Sequence, residues 1–317
     1  MFLIIGSVTA DLLVQSDAPL PQLGEDGFRS SNLVFTDAPL TILMGGNGGN
    51  SAYVLAGLSA PVALGGAVGR DLLGDALVGW LTARGVNLDG LSASPTHATS
   101  TSTILMADAG NQVVFHHLGA TAQARYEDIP LALLAATDLL LATSFPLLSQ
   151  MRAGGFARAL ARVHAAGGIT ALDVGPAIGD PVTVAELAPL LPTVDYLLGN
   201  SHEIAALTGA TQWSEAANQL LAAGARQVVI KQGAAGAALW SAQERIHVPA
   251  FPIAANISVG AGDSFNAGFL YGVKEGWPLA QALRFGNAVA GLVVGSERGI
   301  LDAPSLAAVE RLLAGAQ

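Results

Sequence analysis

The sequence predicts an α/β fold in which a mostly parallel sheet is covered by helices on both faces. From residue 138 onward, short apolar runs alternate with longer segments of helical periodicity, the order expected of repeated βα units. The 38 glycines indicate many tight turns between such units. With 317 residues, 51% hydrophobic and 12% charged, the chain can bury a large core and lacks the composition of a disordered protein.

The individual elements follow in chain order. The run Met1–Gly6 predicts a first buried strand, and no linker or repeat divides the chain, so we expect one domain over residues 1–317. Further buried strands are predicted at Asp138–Ala142, Ile169–Asp173, Asp195–Leu198 and Gln227–Lys231. Helices are predicted at Ser149–Ala166, Ser201–Leu207, Ser214–Ala223 and about 262–275, 279–296 and 304–314.

Two stretches depart from this rhythm. Residues 27–43 and 98–118 alternate apolar and polar residues, as exposed strands do, and each is flanked by Pro, Gly or Ser. One interpretation is a small sheet outside the main layer, and the other is a set of edge strands of the main sheet. The pattern does not choose between them.

Composition excludes several classes of function. The formal net charge is −10, which disfavours broad binding to nucleic acids or anionic membranes. The absence of cysteine excludes disulfides and thiolate metal sites. The N-terminal apolar run is too short for a signal peptide, and no run reaches ~18 apolar residues. We therefore expect a cytoplasmic enzyme with no nucleic-acid or membrane partner.

The most informative motif is Val259-Gly260-Ala261-Gly262-Asp263, followed by apolar residues at helical spacing. Glycines here allow consecutive N–H groups to point the same way, and a helix starting there adds its positive dipole end, which suits a phosphate. Asp263 then puts a carboxylate beside the anion, where it can take a proton from an attacking hydroxyl. The alternative is an ordinary glycine turn with a helix-capping aspartate.

A second glycine cluster, Gly45-Gly46-Asn47-Gly48-Gly49-Asn50, precedes a predicted helix at Ala52–Leu58. Backbone here can approach a ligand closely, and the Asn50 amide can both donate and accept hydrogen bonds, as a polyhydroxylated ligand requires. Asp11, which we expect near the end of the first strand, can bind vicinal hydroxyls. A loop with a helix cap, and a turn aspartate, are the alternatives.

Two further motifs follow predicted strands. Asn200 and Glu203 are three residues apart at a helix start and offer oxygen ligands for hydrated Mg²⁺, or else form a capping box. Lys231-Gln232-Gly233-Ala234-Ala235-Gly236 can form a flat platform for a purine, or simply a tight turn. His116 and His117 lie in a predicted strand and face opposite sides, so we interpret them as surface or lid residues.

Taken together and in this order, the motifs resemble the ribokinase/PfkB family of carbohydrate and nucleoside kinases. The resemblance runs over nearly the whole chain, from Asp11 to Asn287. Gly260–Gly272 is similar to the C-terminal signature of the family, Gly45–Asn50 to its N-terminal signature, and Asn200–Glu203 to its NxxE motif.

The resemblance implies a doubly wound, ribokinase-like α/β domain with a small β lid, here about 27–43 and 98–118. It implies ATP and Mg²⁺ as cofactors and transfer of the γ-phosphoryl group to a hydroxyl. By matching position, it assigns Asp263 as catalytic base with Gly260, Ala261 and Gly262 as the anion hole, Asp11, Gly45, Gly46 and Asn50 as substrate contacts, Lys231, Gly233, Gly236 and Asn287 as ATP contacts, and Asn200 and Glu203 near the metal.

Three positions depart from the family pattern. Ile257 stands where many members carry an aspartate that helps hold a monovalent cation, so we expect little activation by K⁺. Asn47 stands where ribokinases often have lysine, and Thr143-Ser144-Phe145 where some have a glutamate. The last two differences count against ribose as the obvious substrate.

We therefore predict an ATP-dependent kinase of a small sugar or sugar-like molecule. A nucleoside kinase is the alternative within the class, with Phe28, Phe35 and Phe115 of the lid as candidates for a base-binding slot. From other classes, we considered a dinucleotide-binding oxidoreductase, which the missing GxGxxG after the first strand disfavours, and a nucleotide sensor. A homodimer formed through the lid is the oligomer we consider.

Overall fold

The computed structural model describes residues 1–15, 33–36, 38–106, 112–176 and 180–315, and their strands form two sheets. The strands are β1 (Phe2–Ile5), β2 (Thr9–Gln15), β3 (Thr41–Gly45), β4 (Val62–Gly69), β5 (Asn87–Ser94), β6 (Ser100–Met106), β7 (Gln112–His117), β8 (Leu139–Ala142), β9 (Ile169–Asp173), β10 (Tyr196–Asn200), β11 (Gln227–Lys231), β12 (Ala237–Ser241) and β13 (Arg245–Val248).

The described helices lie mostly between the strands of the larger sheet and after its last strand. They are α1 (Asn47–Gly57), α2 (Leu72–Ala83), α3 (Leu131–Ala135), α4 (Phe156–Ala165), α5 (Val184–Leu187), α6 (Ser201–Thr208), α7 (Trp213–Ala222), α8 (Ala261–Lys274), α9 (Leu279–Val294) and α10 (Leu306–Gly315). None of these helices is both long and apolar enough to span a bilayer.

The larger sheet has nine strands in the order β13-β12-β11-β10-β9-β8-β1-β4-β5. It is parallel from β11 to β5, and β12 and β13 add an antiparallel edge. From β1 the chain first builds outward through β4 and β5, and then builds the other side from β8 onward. Open sheets of this doubly wound kind bind ligands beyond the carboxyl ends of their strands. The predicted fold class is confirmed.

The core lies on both faces of this sheet. Alternate residues of β1 contribute to opposite sides, with Phe2 and Ile4 in one apolar cluster and Leu3 and Ile5 in the other. All four are essentially inaccessible to solvent. Burial of such a side chain stabilises the fold by ~1.5–3 kcal/mol. Double-sided burial explains why the parallel strands appear in the sequence as continuous apolar runs.

Two helix starts differ from the sequence prediction. The segment Ser149–Ala166 is not one helix, because a wide turn at Met151–Gly155 precedes α4 and Gly154 has a positive φ of 134° inside it. The helix predicted at Ala52–Leu58 begins earlier, at Asn47, because Gly46 adopts a left-handed φ of 79° and directs the chain into a helical turn at once. The earlier start puts Asn47 and Asn50 in the first turn of α1.

The described strands of the two stretches 27–43 and 98–118 belong to a separate sheet of four strands, in the order β3-β2-β6-β7. We call it the small sheet below. The edge-strand interpretation is therefore wrong for the described residues. The two stretches also do not pair directly, because β2 lies between β3 and β6. Residues 27–32, 37 and 107–111 of the predicted lid lie outside the described residues.

The position predicted for Asp11 is wrong. The first strand ends at Ile5, and the chain then crosses into the small sheet, where Asp11 lies in the middle of β2. The apolar run of β1 and the following Val8 and Ala10 hide this crossing, because both segments are buried. Asp11 therefore belongs to the small sheet, paired with Leu43 and Ser102.

Candidate active site

The carboxyl ends of several parallel strands and the first turns of α6 and α8 border a cavity of about 770 Å³. Ten of the residues predicted for catalysis, nucleotide or metal binding line it. They are Asn200, Glu203, Lys231, Gly233, Gly236, Gly260, Ala261, Gly262, Asp263 and Asn287. The fold thus brings together motifs that lie up to 87 residues apart in the chain, from Asn200 to Asn287.

The first turn of α8 forms one wall of the cavity. Gly260 has a left-handed φ of 80°, and a Cβ there would overlap Ile300, so glycine suits this position on both counts. The Ala261 N–H donates to the Ser258 carbonyl oxygen at 3.3 Å. The N–H groups of Gly262 and Asp263 have no acceptor among the described residues, so they are available to an anion at the positive end of the helix.

Asp263 is buried where α8 meets α1. Its Oδ1 accepts a hydrogen bond from Asn47 Nδ2 and its Oδ2 one from Asn50 Nδ2, both at 2.8 Å. Burial raises the pKa of Asp263 above its usual range, and the contacts with Asn50, Lys231 and Asn47 oppose that rise. A carboxylate held in this balance can exist in the charged form and still accept a proton, which a general base requires.

A buried ion pair lies beside the anion hole. Lys231 Nζ contacts Asp173 Oδ2 at 2.7 Å, and Asn266 Nδ2 donates to the same oxygen at 2.6 Å. A Cβ added to Gly262 would lie 3.4 Å from Lys231 Nζ, so the ammonium group is adjacent to the N-terminal turn of α8. Burial alone would lower the pKa of Lys231, but attraction to Asp173 and Glu203 outweighs it and raises the pKa. The lysine therefore stays charged.

Asn200 and Glu203 form the capping box that was the alternative interpretation. Asn200 Oδ1 accepts from the Glu203 N–H at 2.8 Å, and Glu203 Oε2 accepts from the Asn200 N–H at 2.7 Å. Burial raises the pKa of Glu203 to about 7, with Lys231 opposing and Asp173 adding to the rise. The capping contacts leave Glu203 Oε1 without a hydrogen bond to the described residues.

The described protein side chains at this site can supply few ligands to a metal ion. No group of three His, Cys, Asp or Glu side chains in the described residues is arranged to hold a metal ion. Magnesium commonly keeps several waters and takes one or two carboxylates plus substrate phosphates. The uncommitted Oε1 of Glu203, on a cavity that can hold a polyphosphate, fits that mode. Metal binding by Asn200 and Glu203 stays a prediction.

Part of the cavity lining is apolar. Phe251, Ile253 and Val294 line it together with the Gly233–Gly236 turn. The Asn287 amide does not point freely into the cavity, because its Nδ2 donates to the carbonyl oxygens of Val248 and Pro249 at 3.0 and 3.1 Å. Asn287 thus holds the segment after β13 in place, at the edge of the predicted adenine site.

The predicted substrate contacts lie on the other side of Asp263, outside the lining of this cavity. Burial raises the pKa of Asp11 to about 6; a hydrogen bond from Ser102 opposes the rise and repulsion from Asp263 adds to it. A Cβ on Gly45 would overlap the Asp11 carboxylate, so glycine leaves room for that group. Asp11 Oδ1 and Asn50 Oδ1 are buried without a partner among the described residues. Unpaired buried acceptors favour a ligand that donates hydrogen bonds.

The face of the small sheet that carries Asp11 is polar near its base. Asp11, Ser102 and His116 lie side by side in register on β2, β6 and β7, and Ser102 Oγ is 3.1 Å from His116 Nδ1. Partial desolvation and repulsion from His117 lower the pKa of His116, so its ring is neutral near pH 7. Phe115 pairs with Thr103 and thus lies on the opposite face.

Sequence reasoning missed three residues of this site. Asp173 could have been noticed as an acidic residue at the carboxyl end of a buried strand, which is where ligands bind in such sheets. Asn47 and Ser144 were identified only as departures from a family pattern, although Asn47 contacts Asp263 directly and Ser144 contacts Asn47. Their contacts cross between α1, β8 and α8, which are far apart in the chain and leave no local signal.

Comparison with known proteins gives a consistent result. A profile of the pfkB family of carbohydrate kinases matches residues 21–306. The ribokinase of Bacillus subtilis is 30% identical over 314 residues, 98% of each chain. A nucleoside kinase of Methanothermobacter thermautotrophicus is 29% identical over 273 residues, 86% of this chain and 85% of its own. The solved structure of Arabidopsis thaliana ribokinase complexed with ribose and ATP has a TM-score of 0.83 at 27% identity, over 98% of each chain.

Proposed function

Because this chain belongs to the pfkB family of carbohydrate kinases, we propose that it transfers the γ-phosphoryl group of ATP to a hydroxyl of a small sugar or sugar-like substrate. Members of the family are phosphotransferases that act on hydroxyl groups, and they use ATP together with Mg²⁺. This membership leaves the oxidoreductase and sensor alternatives without support. The sugar or nucleoside kinase class is thereby established, and the choice of substrate within it is the proposal.

The observation that carries the proposal is the placement of Asp263. It lies at the N-terminal turn of α8, between the cavity that suits a nucleotide and the polar group formed by Asp11 and Asn50. Two buried carboxylates with raised pKa values thus follow one another, Asp263 at the wall of the nucleotide cavity and Asp11 outside its lining. One can bind hydroxyl groups, and the other can take a proton from the hydroxyl that reacts.

The residues present support a simple reaction path. Asp263 accepts the proton of the substrate hydroxyl as its oxygen bonds to the γ-phosphorus and the bond to the leaving ADP oxygen breaks. The N–H groups of Gly262 and Asp263, with the Lys231 ammonium beside them, stabilise the charge on the transferred group. Glu203 would hold hydrated Mg²⁺, which neutralises the polyphosphate when bound. Catalysis then depends on position and charge rather than on a covalent enzyme intermediate.

A sugar is favoured over a nucleoside by the faces of the small sheet. The substrate-side face presents Asp11, Ser102 and His116, which are groups that bind hydroxyls. Phe115 is on the other face and 63% exposed, and Phe35 is 88% exposed, so neither forms a base-stacking slot beside Asp11. Phe28 lies outside the described residues.

The face of the small sheet that carries Phe115, opposite Asp11 and called the outer face here, supports the proposed oligomer. Ile42, Val113 and Phe115 lie on it and are each exposed by more than two fifths of their surface. Exposed apolar side chains on a sheet face favour association, and a second copy of this chain would cover them symmetrically. We therefore include a homodimer through the small sheet in the proposal. We propose the cytoplasm as the site of the reaction, because ATP is available there.

The test is a substrate screen with ATP and Mg²⁺ over pentoses, hexoses, keto-deoxy sugar acids and nucleosides. Product formation is followed by ³¹P NMR as the appearance of a new phosphate monoester. This signal is distinct from the inorganic phosphate that ATP hydrolysis without a substrate would release. We expect a monoester with at least one neutral sugar. A monoester with nucleosides alone would move the assignment to the nucleoside alternative, and none with any hydroxyl compound would contradict the proposal.

A further inference from the structure

Asp263 is the end of a buried chain of hydrogen bonds that reaches two serines. Asn47, which donates to Asp263, lies with its Oδ1 3.0 Å from Ser144 Oγ. Ser144 Oγ is 2.8 Å from Ser7 Oγ and accepts from the Ser7 N–H at 3.1 Å. Ser7 Oγ in turn accepts from the Asn47 backbone N–H at 3.1 Å. The two serines follow β1 and β8 and are fully buried.

The donors and acceptors of this chain can be arranged in only one consistent way. An ionised Asp263 only accepts, so the amide nitrogen of Asn47 must face it and the amide oxygen must face Ser144. Ser144 then donates its single hydroxyl proton to that oxygen. The Ser7 hydroxyl must therefore donate to Ser144, and this leaves it free to accept from the Asn47 N–H. Each group is satisfied, and the Ser144 hydroxyl holds the amide in the orientation that the ionised Asp263 requires.

The backbone at Ser144 supports a specific role for this residue. Ser144 has a left-handed φ of 57°, and Ser59 is the other described non-glycine residue with positive φ. Such a conformation is unfavourable for an L-residue with a Cβ, and it persists where the surroundings require it. Glycine would adopt it more easily, but glycine has no hydroxyl to hold Asn47.

We propose that Ser144 and Ser7 are positioning residues which act through Asn47 to orient the Asp263 carboxylate toward the substrate hydroxyl. This inference rests on the proposed function, since it assumes that Asp263 is the base. Asn47 stands where ribokinases often have lysine, and Ser144 lies within the stretch Thr143-Ser144-Phe145, where some have a glutamate.

Other charges also act on Asp263 and must be kept constant in any test. Lys231 on β11 favours its ionised form, while Asp173 on β9, Asp11 on β2 and Glu203 on α6 repel it. Substitution of Ser144 changes none of these charges. A change in the titration of Asp263 in such a variant therefore reports on the hydrogen-bond chain.

The experiment compares Ser144→Ala and Ser144→Gly with wild type in the pH dependence of kcat/KM. Loss of the hydroxyl frees the Asn47 amide and weakens its bond to the charged carboxylate, so the pKa of Asp263 rises. We expect the acid limb of the profile to move to higher pH by about one unit in both variants, so that kcat/KM at a fixed pH on that limb falls ~10-fold. Ser144→Gly should unfold at a higher temperature than Ser144→Ala, because glycine relieves the backbone.

Ser59→Ala and Ser59→Gly are the matched controls, since they change an exposed serine with the same backbone conformation. ¹³C NMR of the Asp263 carboxyl carbon, assigned by its loss in Asp263→Asn, gives the titration without any activity. An unchanged titration and pH profile in folded Ser144→Ala would overturn the inference even if the wild type is an active kinase. A shifted Asp263 titration in Ser144→Ala, together with a wild type that phosphorylates nothing, would mean that the proposed function alone had failed.

Discussion

Glu203 has two roles to fill with one carboxylate. Its Oε2 closes the capping box of α6 through the Asn200 N–H, and its Oε1 is uncommitted beside Lys231 and the cavity. Sequence reasoning treated capping and metal binding as alternatives. The structure establishes the first and leaves room for the second, because a carboxylate has acceptor sites for both.

Glu203→Gln is expected to raise the Mg²⁺ concentration needed for half-maximal activity and to slow turnover. The amide keeps the capping geometry but loses the charge that organises the metal's water shell. Nucleotide binding without metal should change little. Mg²⁺ titration of the initial rate is the measurement, with Thr183→Ala as control, because that variant removes the cap of α5 at a cost of ~1 kcal/mol. A variant that loses thermal stability but keeps its Mg²⁺ dependence would show that Glu203 only caps.

How well single residues can be predicted depends on whether their role leaves a local pattern. Asp263 was predictable because two glycines and an amphipathic helix surround it within one short segment. Asp173 and Ser144 were not, because their roles come from partners that the fold brings from other strands. Asn47 lay inside a recognised motif, yet its contact with Asp263 depends on a helix that starts five residues earlier than predicted.

At the scale of elements, the small sheet is attached to the anion hole by an apolar contact. Leu13, Leu43 and Ile104 on its inner face pack against Ile257, three residues before Gly260. Ile257 is the residue that replaces an expected aspartate, so an apolar side chain occupies a position where a cation ligand was considered. Movement of the small sheet is thus expected to shift Ile257 and, with it, the start of α8.

Closure of the small sheet over the substrate is the prediction at this scale. Water admitted to the site would compete with the sugar hydroxyl for the phosphoryl group, so closure has a chemical purpose. Hydrogen exchange in β2, β3, β6 and β7 is expected to slow when a substrate found in the screen and an unreactive ATP analogue are bound together. Strand β5, at the far edge of the main sheet, is the control. Equal exchange in the free and bound protein would argue for a fixed sheet.

The strands of the main sheet were predictable because burial on both faces gives them continuous apolar runs, and β9 and β11 have the predicted bounds. The small sheet was harder to predict. Its β2 begins with buried residues only four positions after the end of β1, so Asp11 was placed on the first strand. The wide turn before α4 was missed although Gly154-Gly155 is a turn signal, because apolar residues at helical spacing continue on both sides of it.

At the scale of the whole molecule, charge is distributed so that an acidic protein can bind an anion. The formal net charge is −10, yet the N-terminal turn of α8 and the charged Lys231 make the cavity locally favourable for phosphate. Three carboxylates surround that lysine, two of them with raised pKa values. This arrangement is costly for stability and is expected at a site that carries out proton transfer.

The order of the motifs, more than any one of them, made the overall function predictable. Each motif alone had an ordinary structural interpretation, and for Asn200 and Glu203 that interpretation is present in the structure. Their convergence on one cavity is a property of the doubly wound sheet, which brings the carboxyl ends of β9, β10 and β11 together. The substrate was not predictable, because the contacts proposed for it come largely from a sheet whose pairing the sequence did not determine.

The central claim is that Asp263 is the base of a phosphoryl transfer to a sugar hydroxyl, and Asp263→Asn tests it most directly. The substitution keeps size and fold and removes the proton acceptor, and exposed Asp89→Asn is the matched control. We measure kcat for the phosphorylated product, with ATP affinity and thermal unfolding checked in parallel. The account predicts a loss of ~10²–10⁴-fold in kcat with ATP still bound. Turnover within a few-fold of wild type would contradict it.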